Sequence, residues 1–318
     1  MILPPGESGL SFSSDIKTEL CKLENKRDCC KVAECYGLWL FSKCFSQQEN
    51  AFVTEHAGTA RRMLELAAEA AGVTGELRYG ISRRKKPAYQ VSLPEASARE
   101  KLLSAFGHTG RETTLRLNLA ALENDCCPAA FLRGAFLTCG TANDPNKEYR
   151  LEFTVPYQTL ANGLYTLLGG TTAFESKPAL SPRKGGYVVY LKDGGQIENF
   201  LTYIGATAAA MELMQVRMYK EVKNNINRKA NFETANMDKT YSASARQIAA
   251  IAALSDAGSL EQLPDPLREL ALLRLENPDM TLKELSARLG VSRSGVNHRL
   301  NRLLELGEKH LEAGKKTM

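Results

Sequence analysis

One segment of the chain occurs twice. CCKVAECYGLWLFSKCF begins at Cys29 and CCPAAFLRGAFLTCGTA at Cys126; they align without a gap, placing Gly37 on Gly134 at an offset of 134 − 37 = 97. Each reads as a mostly apolar helix with a glycine near its centre. Glycine has no Cβ, so two such helices can bring their backbones together. The doubled segment therefore predicts a domain of two similar halves whose glycine-bearing helices pair about a pseudo-twofold axis.

The correspondence runs on with a slip of one residue. The strand-like AFVTEH from Ala51 answers RLEFTV from Arg150, and helical stretches follow at Thr59 to Ala71 and Thr159 to Leu168. Gly72 and Gly170 are expected to close these helices in the left-handed conformation that suits glycine. Hairpin pairs come next: ELRYGISRR with PAYQVSLP, and TAFESKPA with GYVVYLKD. Tyr89 falls on Tyr187, at 187 − 89 = 98. Helices near Ser97 to Phe106 and Gln196 to Ile204 end the halves. Each half thus reads α-β-β-α-β-β-α. The plainer alternative is two unrelated α+β segments of similar composition.

At 318 residues the chain has room for about two or three domains. A hydrophobic fraction of 43% with 24% charged residues is that of a globular protein rather than a disordered one. No apolar run approaches the roughly 18 residues that cross a bilayer. MILPPGESGLSFSS lacks the basic start and apolar stretch of a signal peptide. A cytoplasmic protein with no membrane partner is expected. A net charge of +5 permits nucleic-acid binding without implying it, so the placement of charge decides.

The eight cysteines form no CxxC pair, and His56, His108, His298 and His310 are scattered. No Cys/His zinc pattern appears, so neither a metal nor another cofactor is expected. In a reducing compartment the thiols read as small buried hydrophobes.

From Ala206 the pattern changes to long helices. Arg217, Lys220, Lys223, Arg228 and Lys229 cluster with Glu221 as the one nearby acid. Such a stretch can follow a phosphate backbone or simply be a solvated linker. A helix from Ser244 to Leu254 precedes a turn at Asp256 to Gly258. Asp265-Pro266 then supplies a cap and a proline at the first helical position. That helix must stop near Asn277, because Pro278 cannot continue it. Thr281 and Glu284 form a capping box, which starts a second helix carrying Leu282, Leu285 and Leu289 inward. Gly290 gives a tight turn and Ser292 caps a third helix. This is a helix-turn-helix pattern.

In the third helix Val296, Leu300 and Leu303 make the buried stripe. The opposite face carries Ser294, His298 and Asn301, flanked by Asn297 and Arg302, with Arg293 at the N-terminal end. Arginine suits guanine and asparagine suits adenine in the major groove. Ser292, Arg293, Ser294, Asn297, His298, Asn301 and Arg302 are therefore the candidate duplex-DNA contacts. A three-helix unit that docks protein is the competing reading.

The repeated halves resemble those of LAGLIDADG homing endonucleases, in which two such helices form a central dyad and two curved sheets straddle DNA. There a carboxylate near the C-terminal end of each helix holds the divalent ions that cleave DNA. Laid over that motif, CYGLWLFSK puts Ser42 at the acidic position of the first half, and LRGAFLTCG puts Cys139 there in the second. Neither is the hard oxygen anion that magnesium requires. Asp144 lies nearby, but Asn-Asp-Pro reads as a turn and the first half has no matching acid. No catalytic residue is assigned.

Joined to the C-terminal pattern, the chain resembles the WhiA family of sporulation and cell-division regulators from Gram-positive bacteria. FLRGAFLTCGTANDPNKEYRLEF, NRKANFETANMDKT and LKELSARLGVSRSGVNHRL carry that resemblance most specifically. The last also looks like the promoter-reading region of sigma factors. The expected fold is α+β: a pseudo-twofold LAGLIDADG-like domain followed by an all-α helix-turn-helix domain. The expected bounds are a disordered or non-native leader at 1–10, halves at 11–125 and 126–205, a helical linker at 206–240 and the reader at 241–318.

The resemblance implies a non-enzymatic, nucleoid-associated transcription regulator bound to double-stranded DNA, with a protein co-regulator or RNA polymerase as a further partner. Arg83, Arg84, Lys85 and Lys86, between two hairpin strands, are candidate phosphate contacts, as are Arg228 and Lys229. The four could equally be a solvated loop tip. An active endonuclease using other acids, and a scaffold recruiting a division or transcription partner, remain as alternatives. Target sequence, direction of regulation and oligomeric state are left open.

Overall fold

The computed structural model describes residues 11–82, 85–112 and 114–315. The leader expected at 1–10 and the candidates Arg83 and Arg84 lie outside the described residues. The chain divides into two compact units between Lys220 and Glu221.

The first unit opens on a helix outside the repeated order of elements, α1 (Phe12–Cys21). Ser11 caps it, accepting from the Ser14 N–H at 3.3 Å, and Phe12, Ile16 and Leu20 at spacings of four form its buried stripe. The first half then runs α2 (Asp28–Leu40), β1 (Cys44–Phe45), β2 (Asn50–Thr54), α3 (Ala57–Ala71), β3 (Glu76–Ile81), β4 (Pro87–Ser92) and α4 (Ala96–Ala105). The second half repeats it: α5 (Cys127–Cys139), β5 (Gly140–Ala142), β6 (Leu151–Val155), α6 (Gln158–Gly170), β7 (Ala179–Arg183), β8 (Gly186–Leu191) and α7 (Gly194–Ile204). Both halves follow the expected α-β-β-α-β-β-α order.

The two sheets are wholly antiparallel and share one strand order, β1-β2-β4-β3 and β5-β6-β8-β7. Phe52 pairs with Val91 and Phe153 with Val189. The offset between halves is thus 153 − 52 = 101 on the second strands and 189 − 91 = 98 on the last strands. The slip of one residue is right for Tyr89 and Tyr187 but misses a longer β5–β6 loop, because loop length leaves no periodic trace.

At the centre, α2 and α5 cross backbone to backbone. A Cβ on Gly37 would lie 2.1 Å from the Phe131 carbonyl oxygen, and one on Gly134 would lie 2.1 Å from that of Glu34. This reciprocal contact is the pseudo-twofold expected from the repeat. Around it Tyr36, Trp39, Phe131 and Phe136 are fully buried, and α3 and α7 flank the pair.

Two local expectations are corrected. Gly72 is the left-handed cap of α3 at φ 62°, but Gly170 is the last residue of α6 and is not left-handed. The end of α6 is closed by hydroxyls instead: Thr171 Oγ1 donates to the Leu167 carbonyl at 2.6 Å and Ser176 Oγ to that of Leu168 at 2.8 Å. TAFESKPA is a strand only at its last residue, since β7 starts at Ala179. Pro182 within β7 is tolerated because that strand is an edge.

The helix α8 (Thr207–Asp256) carries the chain from the first unit into the second as one element. The separate helix expected from Ser244 to Leu254 is its last part. In the second unit Gly258, at φ 66°, ends the turn after α8, and α9 (Asp265–Glu276), α10 (Leu282–Leu289) and α11 (Arg293–Lys315) follow. Their core is Ile251, Leu254, Leu270, Leu285, Val296, Leu300 and Leu303.

Candidate nucleic-acid interface

Two places offer chemistry suited to DNA: the C-terminal ends of the dyad helices and the exposed face of α11.

At the first, Ser42 follows α2 and is buried. Its hydroxyl donates to the Trp39 carbonyl at 2.6 Å and to that of Cys44 at 3.1 Å, so it serves the helix end. Cys139 ends α5, and its Sγ lies 3.3 Å from the Ala135 carbonyl. Burial pushes its thiol up to about 12, far from the thiolate a metal would need. Near Cys139 burial lowers the Lys17 ammonium from its ordinary value, with Cys139 and Cys21 acting in the other direction. Asp144 is a turn residue as expected: its carboxylate accepts from the backbone and side-chain nitrogens of Asn146, and those bonds hold it below its usual range.

The remaining acids of the helix pair and sheets are committed elsewhere. Glu34, fully buried on α2, accepts from Asn25 Nδ2 at 2.7 Å, Arg62 Nη2 at 3.0 Å and Arg133 Nη1 at 3.0 Å. On the second sheet Glu152 pairs with Arg150 and with Arg183, and the Arg150 guanidinium stacks 4.5 Å over the Tyr190 ring. Lys85 and Lys86 are exposed at the β3–β4 turn, where Lys85 adopts a left-handed φ of 58° and Lys86 Nζ lies 3.5 Å from Glu55. Arg228 and Lys229 are exposed on α8, as is every residue from 221 to 243.

The second place is built by caps. Pro264, rather than Asp265, holds the N-cap position of α9; Asp265 instead pairs with Arg268 at 2.6 Å, one turn on. The capping box of α10 is complete, with Glu284 accepting from the Thr281 N–H at 2.7 Å and the Thr281 hydroxyl accepting from the Glu284 N–H at 3.3 Å. Donation from the Thr281 N–H, and then from its hydroxyl, lowers the Glu284 carboxyl below its ordinary value. Gly290 turns the chain at φ 64°, and Ser292 Oγ accepts from the Gly295 N–H at 3.1 Å. Val296, Leu300 and Leu303 then face inward, leaving Ser292, Arg293, Ser294, Asn297, His298, Asn301 and Arg302 exposed together. Among the described residues Arg302 alone of these is paired by charge, with Glu305 at 3.0 Å.

Arg293 and Asn297 also line a cleft of about 450 Å³ inside the second unit. Its other polar walls include Lys239 and Gln247 of α8, Arg274 of α9 and Lys283 of α10, with no acid among the described lining residues. Arg274 and Gln247 are buried, and Arg274 Nε and Gln247 Oε1 find no hydrogen-bond partner among the described residues. Burial draws the Arg274 guanidinium down from its ordinary value.

Family models match both parts, the WhiA LAGLIDADG-like domain over residues 128–223 and the WhiA C-terminal HTH domain over 226–307. Curated relatives called probable cell division protein WhiA are 37% identical. That from Alkaliphilus metalliredigens covers 96% of this chain and 99% of its own, and that from Ruminiclostridium cellulolyticum 94% and 98%. The chain belongs to the WhiA family. The crystal structure of full-length DUF199/WhiA from Thermatoga maritima shares the fold at a TM-score of 0.58 and 23% identity, covering 94% of this chain and 99% of that one.

Within this WhiA-family chain, sequence reasoning missed the cleft, because Lys239, Gln247, Arg274 and Lys283 come from three helices with no common period. It also missed a gathering of thiols. Cys29 and Cys126 stand 3.7 Å apart at their sulfurs although 126 − 29 = 97 residues separate them. Hydrogen bonding with Cys30 and with the Arg27 guanidinium holds the Cys126 thiol at about 7. The doubled CC was the available signal. It pointed across the dyad rather than along the chain.

Proposed function

We propose that this chain is a non-enzymatic, DNA-binding transcription regulator acting in cell division, sporulation or chromosome segregation. It reads duplex DNA with α11 and carries a disarmed nuclease scaffold. The observation that carries the reading is the α11 face. Arg293 and Asn297 are exposed at its N-terminal end beside a cleft lined by cations, the arrangement in which a recognition helix meets base edges and phosphates. The division role rests on the relatives' name. A cytoplasmic, nucleoid-associated location accords with this; no described helix is long and apolar enough to cross a membrane.

Within that reading Ser292, Arg293, Ser294, Asn297, His298, Asn301 and Arg302 contact DNA, and Arg228 and Lys229 offer further phosphate contacts. Arg293→Ala and Asn297→Ala should each weaken binding to a mapped site by about 1–3 kcal/mol and relax base preference. If both bind like wild type, α11 is not the reader. A second reading, metal-dependent cleavage, is opposed by the internally bonded Ser42 hydroxyl and by the half-buried Cys139 thiol, whose sulfur faces the Ala135 carbonyl. A plasmid-nicking assay with magnesium or manganese decides it: persistent supercoiled substrate supports regulation, and nicking refutes it. A protein co-regulator or RNA polymerase would be detected as a complex on the same DNA.

A further inference from the structure

The crossing of α2 and α5 at Gly37 and Gly134 brings the N-terminal ends of the two helices side by side. Cys29 and Cys30 sit in the first turn of α2, and Cys126 is the N-cap of α5. Their three sulfurs all lie within 4.8 Å of one another, with Cys29 and Cys126 at 3.7 Å, and all three residues are half-buried. Zn–S bonds of about 2.3 Å put neighbouring ligands of a tetrahedral site about 3.8 Å apart. Arg27 Nη1 reaches 3.5 Å from the Cys126 sulfur, and both helix N-termini add positive potential.

We propose that Cys29, Cys30 and Cys126 hold one thiophilic d10 metal ion, Zn(II) or Cu(I), that ties together the N-terminal ends of the two dyad helices. An all-sulfur donor set selects soft ions over magnesium, calcium or manganese. Copper(I) is complete with three thiolates, whereas zinc takes a solvent molecule as its fourth ligand. Cys127 stands apart: its sulfur lies 3.8 Å from the Cys29 carbonyl. The site is at the opposite end of the helix pair from Ser42 and Cys139, and its role is to fasten the two halves. It does not depend on the DNA-binding reading.

The test uses the full chain, reduced and stripped with a chelator. Titration with Co(II), an optical stand-in for zinc, should give thiolate-to-metal charge-transfer bands saturating at one ion per chain. Zn(II) should bleach those bands if zinc is the ion. Capture of Cu(I) from a chromophoric chelator, with Co(II) bands absent, would assign copper. Metal should raise the melting temperature of wild type. Cys29→Ser and Cys126→Ser should abolish uptake and that rise, while Cys44→Ser keeps both. Serine is accommodated at helix N-termini, and circular dichroism checks each fold. Failure of either ion to bind at one per chain overturns the proposal. So does uptake that survives in the Cys29→Ser, Cys126→Ser double variant, or a Cys29–Cys126 disulfide that forms equally well with metal present.

Discussion

The arginines of the first unit and those around the cleft of the second are treated in opposite ways. Arg62 and Arg133 clasp Glu34, and Arg150 and Arg183 clasp Glu152, so these cations are answered by acids of their own unit. In the second unit Arg293, Lys239 and Lys283 are exposed along one cleft without an acid among its described walls, while the fourth cation there, Arg274, is buried and donates to the Pro278 and Met280 carbonyls. A cation satisfied by a neighbouring carboxylate adds to the fold and offers little to an incoming polyanion. A cation left facing solvent offers its full charge to phosphate. The comparison therefore places answered charge in the LAGLIDADG-like domain and unanswered positive charge beside α11, the helix proposed to read DNA.

The sharpest way to break this contrast is Glu34→Ala. Removing the carboxylate leaves two largely buried guanidiniums unanswered, and chemical denaturation should report a loss of about 3–5 kcal/mol. A loss below about 1 kcal/mol would show that the network is incidental. Next is Gly37→Ala, which drives a methyl group into the Phe131 carbonyl and should cost about 1–3 kcal/mol by separating α2 from α5. DNA affinity per folded molecule should be unchanged in both.

The remaining two concern the cations themselves. Lys239→Ala and Lys283→Ala should each lower the slope of log binding constant against log salt by about 1 while leaving the melting temperature unaltered. An unchanged slope would remove the cleft from the interface. The smallest effect is expected from replacing Arg83, Arg84, Lys85 and Lys86 together with alanine, since Lys86 already lies beside Glu55. If that variant lost as much slope as the cleft variants, the sheets would regain their place as a DNA surface.

What the sequence made legible follows from what is local or repeated. The matched glycines, the order of elements in each half, the capping box at Thr281 and Glu284 and the apolar stripe of α11 are all written in spacing. The end of α6 was misread because two hydroxyls, from Thr171 and Ser176, do what glycine was expected to do. Asp265 was misread because a carboxylate three residues before an arginine has a competing partner. The thiol cluster and the cleft were hidden for one reason: each is assembled from helices distant in the chain, and only folding sets their distances.

Together with the buried stripe of Val296, Leu300 and Leu303, one further contact of α11 sets how accurately Arg293 is aimed. Gly307 lies against α8, where an added Cβ would stand 2.3 Å from the Ala250 carbonyl oxygen. That contact is a fulcrum. From it the helix projects 307 − 293 = 14 residues to Arg293, about 21 Å at 1.5 Å per residue. Any side chain at position 307 pries the fulcrum open, and over that lever arm a tilt of about 5° carries the guanidinium about 2 Å, beyond the window of a hydrogen bond. A glycine fourteen residues from the proposed DNA face thus calibrates the pointer on that face.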